Sequence, residues 1–217
     1  MKLSDNALST LKNFATINSG VVLHPGKIQR TWAADTSILV EVELDDDFPI
    51  TFGIYDLNQF LGCVTTLDNP ELDFQENCVK MKDSSMSIIY RSCLPALIKS
   101  PPNKSLIISD PDISFELSQS TITKILRLAA MNDLTTVSVI GFDGRIKLQA
   151  HVKNNDLSNE VSTDMGEWTG ADFSCMLKVD SIKLIPMDYK VEIKSNAFAQ
   201  FTCINRKLQY SIVLETK

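Results

Sequence analysis

Helix and strand signals run through this chain in one order and then run through it again, which restricts the fold to two domains of one architecture. In the first half Ser4 or Asp5 caps a helix whose Ala7, Leu8, Leu11, Phe14 and Ala15 share one face, with Gly20 close behind it. Period-two segments follow at 20–24, at 27–33 around Trp32 and at Ile38–Leu44, and the run Phe48–Tyr55 reads as another strand. Asp56 caps a short helix carrying Leu57, Phe60 and Leu61 on one face, and three strands are predicted near 71–75, 78–82 and 85–92.

The second half opens with a strand ending at Phe115-Glu116-Leu117. Ser118 then caps a helix through Met131, with Ile122, Ile125, Leu126 and Ala129 at helical spacing. Strands are predicted near 134–141 and 144–152 with Asp143-Gly144 as the hairpin turn, at 157–165, and at 172–179. Asp180 caps a short helix over Ser181–Ile185, and strands near 188–195, 197–204 and 207–215 close the chain. Between the halves, residues 95–103 carry the adjacent prolines Pro101 and Pro102, which neither a helix nor a central strand accommodates. The expected domains are therefore 1–103, including the linker at 95–103, and 104–217.

Composition excludes several classes. Hydrophobic residues make up 44% and charged residues 22% of 217, a globular profile. No apolar run approaches a membrane span, and the start Met1-Lys2-Leu3-Ser4-Asp5-Asn6 lacks the apolar core of a signal peptide, so a cytoplasmic location is expected. The five cysteines show no C-x-x-C spacing and read as free thiols. His24 and His151 lie one in each half with no carboxylate at a suggestive spacing, and no nucleophile elbow, phosphate loop or dinucleotide fingerprint occurs. No catalytic residue, metal site or cofactor is assigned. The six acids between Asp35 and Asp47, with no base among them, read as a solvated outer face.

The net charge of −6 argues against a surface that coats nucleic acid everywhere, but local distribution matters more than the sum. The helix at 118–131 holds Lys124 and Arg127 opposite its apolar face and contains no acid. On the first helix Lys12 shares the polar face with Ser9 and Thr16.

Three blocks then become recognisable. Met1-Lys2-Leu3-Ser4, Leu11–Gly20 and Ile54–Gly62 resemble the DNA polymerase sliding clamp of T4-like bacteriophages, and the second half is similar through the helix at 118–131 and its order of elements. The resemblance implies an α+β chain of two similar DNA-clamp domains, with helices lining the inside and antiparallel sheets outside, assembled into a closed homotrimeric ring. It implies a non-catalytic processivity factor that encircles duplex DNA without sequence specificity, is opened by an ATP-driven clamp loader, tethers the DNA polymerase and contacts late-transcription proteins. Lys12, Lys124, Arg127 and Lys183 would face DNA, although the helix at 56–62 has no base. By the same analogy Arg91 on the strand at 85–92 would meet Glu160 and Asp164 of a neighbouring subunit. Leu97 and Ile98 on the linker, with Phe198, Tyr210 and Ile212, would form the partner pocket. Two other classes compete: a structural ring or scaffold of a virus particle, which needs no helix cations, and a metal-dependent hydrolase built on the acids at 35–47.

Overall fold

The computed structural model describes residues 1–215 and divides into two compact units, Met1–Ser105 and Leu106 onward. In the first, α1 (Asp5–Ile17) buries Ala7, Leu11, Phe14 and Ile17, and Ser4 caps it by accepting the Ala7 N–H at 3.1 Å. The chain continues through β1 (Val21–Leu23), β2 (Gly26–Trp32), β3 (Ile38–Phe48) and β4 (Phe52–Ile54). β1 pairs with β4 and β2 with β3, all antiparallel. Asp56 caps α2 (Leu57–Thr66) by accepting the Gln59 N–H at 2.9 Å. Strands β5 (Glu71–Gln75), β6 (Cys78–Lys82) and β7 (Ser87–Arg91) form an antiparallel sheet in chain order. β5 is sealed on its outer side by Met1, which exchanges backbone hydrogen bonds with Leu72 at 2.7 Å in both directions.

The linker is less free than its prolines suggest. A 3-10 turn at Pro95–Leu97 opens it. Arg30 donates to Glu41 at 2.6 Å and to the Asn103 side chain at 2.6 Å, while Ser105 donates to Glu41. The Lys99 ammonium donates to the Ala34 carbonyl and sits 5.9 Å from the centre of the Trp32 ring. These contacts tie residues 99–105 to the β2–β3 hairpin.

In the second unit β8 (Ile113–Leu117) leads to α3 (Gln119–Met131), β9 (Thr136–Phe142), β10 (Arg145–His151), β11 (Val161–Glu167) and β12 (Phe173–Lys178). β11, β10, β9 and β12 lie side by side in that order. Asp143 and Gly144 both adopt positive φ, as the β9–β10 turn requires. β13 (Tyr189–Ile193), β14 (Phe198–Cys203) and β15 (Leu208–Val213) complete the unit, with β8, β13, β14 and β15 adjacent in that order. Leu157, expected on a strand, is 97% exposed in the loop before β11.

The helix expected at Ser181–Ile185 is absent; a 3-10 turn at Val179–Ser181 stands in its place. Pro186 explains the difference, because the residue before a proline is pushed out of helical backbone and the proline itself cannot extend a helix. The irregular stretch is held instead by two buried tyrosines. Tyr189 donates its hydroxyl to the Ile185 carbonyl at 2.6 Å, and Tyr210 accepts the Ile185 N–H at 3.2 Å. Burial pushes both phenols above their ordinary range.

The acid run is a second departure. β3 alternates so that Val40, Val42, Leu44, Asp46 and Phe48 all point inward, which leaves Asp46 only 8% exposed. Its carboxylate accepts the Ser4 N–H at 3.0 Å and the Ser4 hydroxyl as well. Asp46→Ala strands both donors at the start of α1 and is expected to cost about 1–3 kcal/mol of stability. Urea unfolding measures this, with Asp46→Asn losing less; an unchanged midpoint for the Ala variant would sink the assignment.

Candidate nucleic-acid interface

The long helix of each unit turns a polar face to solvent. On α1 that face carries Ser9, Lys12 and Thr16, all exposed. On α3 it carries Gln119, Ser120, Thr123, Lys124 and Arg127, and α3 contains no acid. Lys124 and Arg127 are exposed, and neither joins an ion pair among the described residues. Such cations are available to phosphates in a way that a lysine already bound to a carboxylate is not. α2 exposes Asn58, Gln59, Gly62, Thr65 and Thr66, a face with no charge at all.

Both long helices are positioned from outside themselves. Asp46 holds the start of α1 through Ser4, and the Asp188 carboxylate accepts the Gln119 N–H of α3 at 2.7 Å. An anion at a helix N-terminus satisfies free N–H groups and complements the helix dipole. The apolar stripe does the rest: Ile122, Ile125 and Ala129 are buried, and Lys124 and Arg127 are left on the other side.

Lys183 departs from the helical site expected for it. It lies half-buried in the irregular segment after the 3-10 turn rather than on a helix.

The residues expected to line a partner pocket divide sharply. Leu97 is 66% exposed whereas Ile98 is buried. Phe198 is half-buried at the start of β14. Tyr210 and Ile212 are fully buried in the core of the second unit and offer no surface, because both lie on the inward-facing part of β15. Tyr210 packs edge-on to Tyr189, with ring centres 6.1 Å apart. The sequence pattern did not single out the groove of about 500 Å³ in the second unit that Ser174, Met176, Asn196, Val213 and Glu215 help to line.

The expected subunit-contact residues sit on two sheet edges. Among the described residues β7, carrying Arg91, ends its sheet with no strand beyond it, and so does β11, carrying Asp164, with Glu160 just before it. Arg91 is exposed and in no ion pair among the described residues. Asp164 already accepts from Arg145 Nε at 2.6 Å and from the Gly166 N–H at 2.8 Å, and Arg145 holds its carboxyl below the ordinary range. Glu160 accepts from the uncharged Gln149 side chain at 2.6 Å.

His24 is exposed, and His151 Nε2 lies 2.8 Å from the Ser138 hydroxyl. Among the described residues no three His, Cys, Asp or Glu side chains converge as metal ligands, and no helix is long and apolar enough to cross a membrane.

Comparison with known proteins gives this geometry a context. A family model described as DNA polymerase processivity factor matches residues 4–93. The chain is 28% identical to a protein of Vibrio phage KVP40 named sliding clamp, over 99% of both chains. It is 27% identical to the sliding clamp of Enterobacteria phage T4, over 88% of this chain and 86% of that one. Among solved structures, the PCNA of A. fulgidus, bound to a C-terminal region of FEN-1, superposes with a TM-score of 0.72 at 14% identity, covering 97% of this chain and 95% of that one. The DNA polymerase III β chain of Streptococcus pneumoniae superposes at 0.68 with 15% identity, covering 97% of this chain and 63% of the longer partner. The fold is therefore the α+β fold of the clamps. Residues 4–93 match the DNA polymerase processivity factor family, and over 88–99% of its length the chain is similar to the sliding clamps of phages T4, RB69 and KVP40.

Proposed function

We propose that this chain is one subunit of a homotrimeric ring that encircles duplex DNA without reading its sequence and tethers the replicative polymerase to it. An ATP-driven loader opens the ring, and late-transcription proteins use it as a second client. It works in the cytoplasm of the infected host cell, and the ring itself catalyses nothing. The observation that carries this reading is the similarity to phage sliding clamps, which in the KVP40 protein spans 99% of both chains. Physical features agree with it.

A ring holds DNA by topology, so it needs few phosphate contacts and none to bases. Lys124 and Arg127 on α3 and Lys12 on α1 are exposed cations of that kind in a chain whose net charge is −6. Lys183 has a weaker claim, being half-buried and off a helix. The open edges of β7 and β11 suit head-to-tail assembly, in which two different surfaces of one chain meet in successive copies and close a ring. Leu97, exposed on the linker beside the buried Ile98, is the proposed anchor for a partner's apolar tail.

Two measurements test the reading. Light scattering over a concentration series should find a species near three times the 24.2 kDa subunit mass, falling apart on dilution. A strict monomer at high concentration would remove the encircling mechanism. The double variant Lys124→Ala with Arg127→Ala should keep the trimer, shorten loader-dependent synthesis severalfold and flatten its dependence on salt, since phosphate contacts set that slope. Undiminished synthesis would take both residues out of the DNA-facing set, and an inert trimer with no effect on any polymerase would favour a structural ring of the virus particle.

A further inference from the structure

The two open edges carry enough information to fix how they meet. We infer that β7 of one subunit pairs antiparallel with residues 160–164 of the next in a single register, with Arg91 opposite Glu160, Ile89 opposite Ser162 and Ser87 opposite Asp164. The inference rests on the ring reading above and adds to it which side chains define the seam.

The pleat supplies the first constraint. In β7, Tyr90 lies opposite Val79 and Ile88 opposite Met81, and both partners are fully buried. Tyr90 and Ile88 therefore face the core, which leaves Ser87, Ile89 and Arg91 facing out. In β11, Val161 lies opposite Ala150 and Thr163 opposite Leu148, again buried partners, so Ser162 and Asp164 face out. A sheet continuous across the seam keeps its two faces distinct. Outward residues must meet outward residues, and only registers that differ by steps of two survive.

Backbone alternation agrees. The Ser92 N–H donates to the Asn77 carbonyl at 3.0 Å and the Asp83 N–H to the Met86 carbonyl at 3.1 Å, one pair at each end of the β6–β7 ladder. Antiparallel pairs alternate between bonded and non-bonded, so these ends turn the N–H and C=O groups of Ser87, Ile89 and Arg91 toward the open edge. Those groups lie on the three residues the pleat has already selected.

Charge then separates the remaining registers. A slip of two in one direction sets Ile89 against Asp164 and leaves Arg91 facing Ser162. A slip in the other sets Ile89 against Glu160 and Arg91 against Ser158. Each places a carboxylate on an isoleucine and gives Arg91 no acid directly opposite. The middle register alone of these three opposes Arg91 to a carboxylate, and that carboxylate is Glu160, whose bond is to a neutral amide. Asp164 is committed to Arg145 within its own subunit.

Length gives a fourth agreement. The β10–β11 register shifts between Ile146 and Lys147, where Asp164 and Gly166 become successive partners and Met165 is extra. Such a bulge bends the strand and ends regular pairing. Residues 160–164 reach up to that bulge, and β7 has five residues to lay against them.

A charge exchange tests the register, read as the trimer–monomer dissociation constant by sedimentation equilibrium, with far-UV circular dichroism confirming that each variant folds. Arg91→Glu alone and Glu160→Arg alone should each weaken every seam roughly fivefold, the scale of an opposed cross-strand charge pair. Combining them should restore assembly to near the parent. Combining Arg91→Glu with Asp164→Arg should not. Rescue by Asp164→Arg instead, or no rescue by Glu160→Arg, overturns the register while leaving the ring standing. A parent protein that never leaves the monomer overturns the ring itself.

Discussion

A carboxylate delivered to the N-terminus of a long helix from a distant strand or loop is the contact on which the rest of each unit depends. Asp46 reaches Ser4 across 42 residues, and Asp188 reaches Gln119 across 69. Helix N–H groups at that end have no partner of their own, so each acid satisfies a donor and marks where the helix begins. With the start fixed, the apolar stripe of Leu11 and Phe14, or of Ile122 and Ile125, sets the rotation of the helix on its sheet. Which side chains remain for solvent follows without further choice. Lys12, Lys124 and Arg127 face outward because the other side of each helix is committed.

Much of this was legible in the sequence where the determinants are local. The caps Ser4, Asp56 and Ser118 act within three residues, and the strands at 71–75 and 78–82 lie where their sequence pattern sets them. The cations of α3 stood out because no acid accompanies them. Asp46 was misread with its neighbours as solvated, although the pattern held the clue: it shares the parity of Val40, Val42 and Leu44, all of which face inward. Asp180 signals a helix cap, but Pro186 soon after it keeps the helix from forming, and only a 3-10 turn results. Tyr210 and Ile212 share a strand face that could be either wall or surface, and only tertiary packing decides which. Strand edges were least legible, since whether an edge is covered depends on segments far away in the chain, as Met1 covers β5.

The adjacent prolines Pro101 and Pro102 favour an extended linker. Yet Arg30, Glu41, Lys99 and Ser105 fasten it to the β2–β3 hairpin, so it is a strap with fixed attachments rather than a tether. Glu41 has a double role here, neutralising the 13%-exposed Arg30 while accepting from Ser105. The fastening begins at Lys99, two residues after the exposed Leu97, and limits the backbone freedom of the segment that carries it.

The uncharged outer face of α2 has its own meaning for motion. Asn58 and Gln59 offer neutral amides, and Thr65 and Thr66 donate their hydroxyls to the carbonyls of Leu61 and Gly62, so the face lacks the attraction that lysine and arginine have for phosphate. A polyanion drawn along such a face meets no deep well at one position and no steep rise at the next. If the proposed ring sets duplex DNA against α2, the landscape along that track stays shallow, and displacement is limited by the drag of the solvent more than by the protein wall.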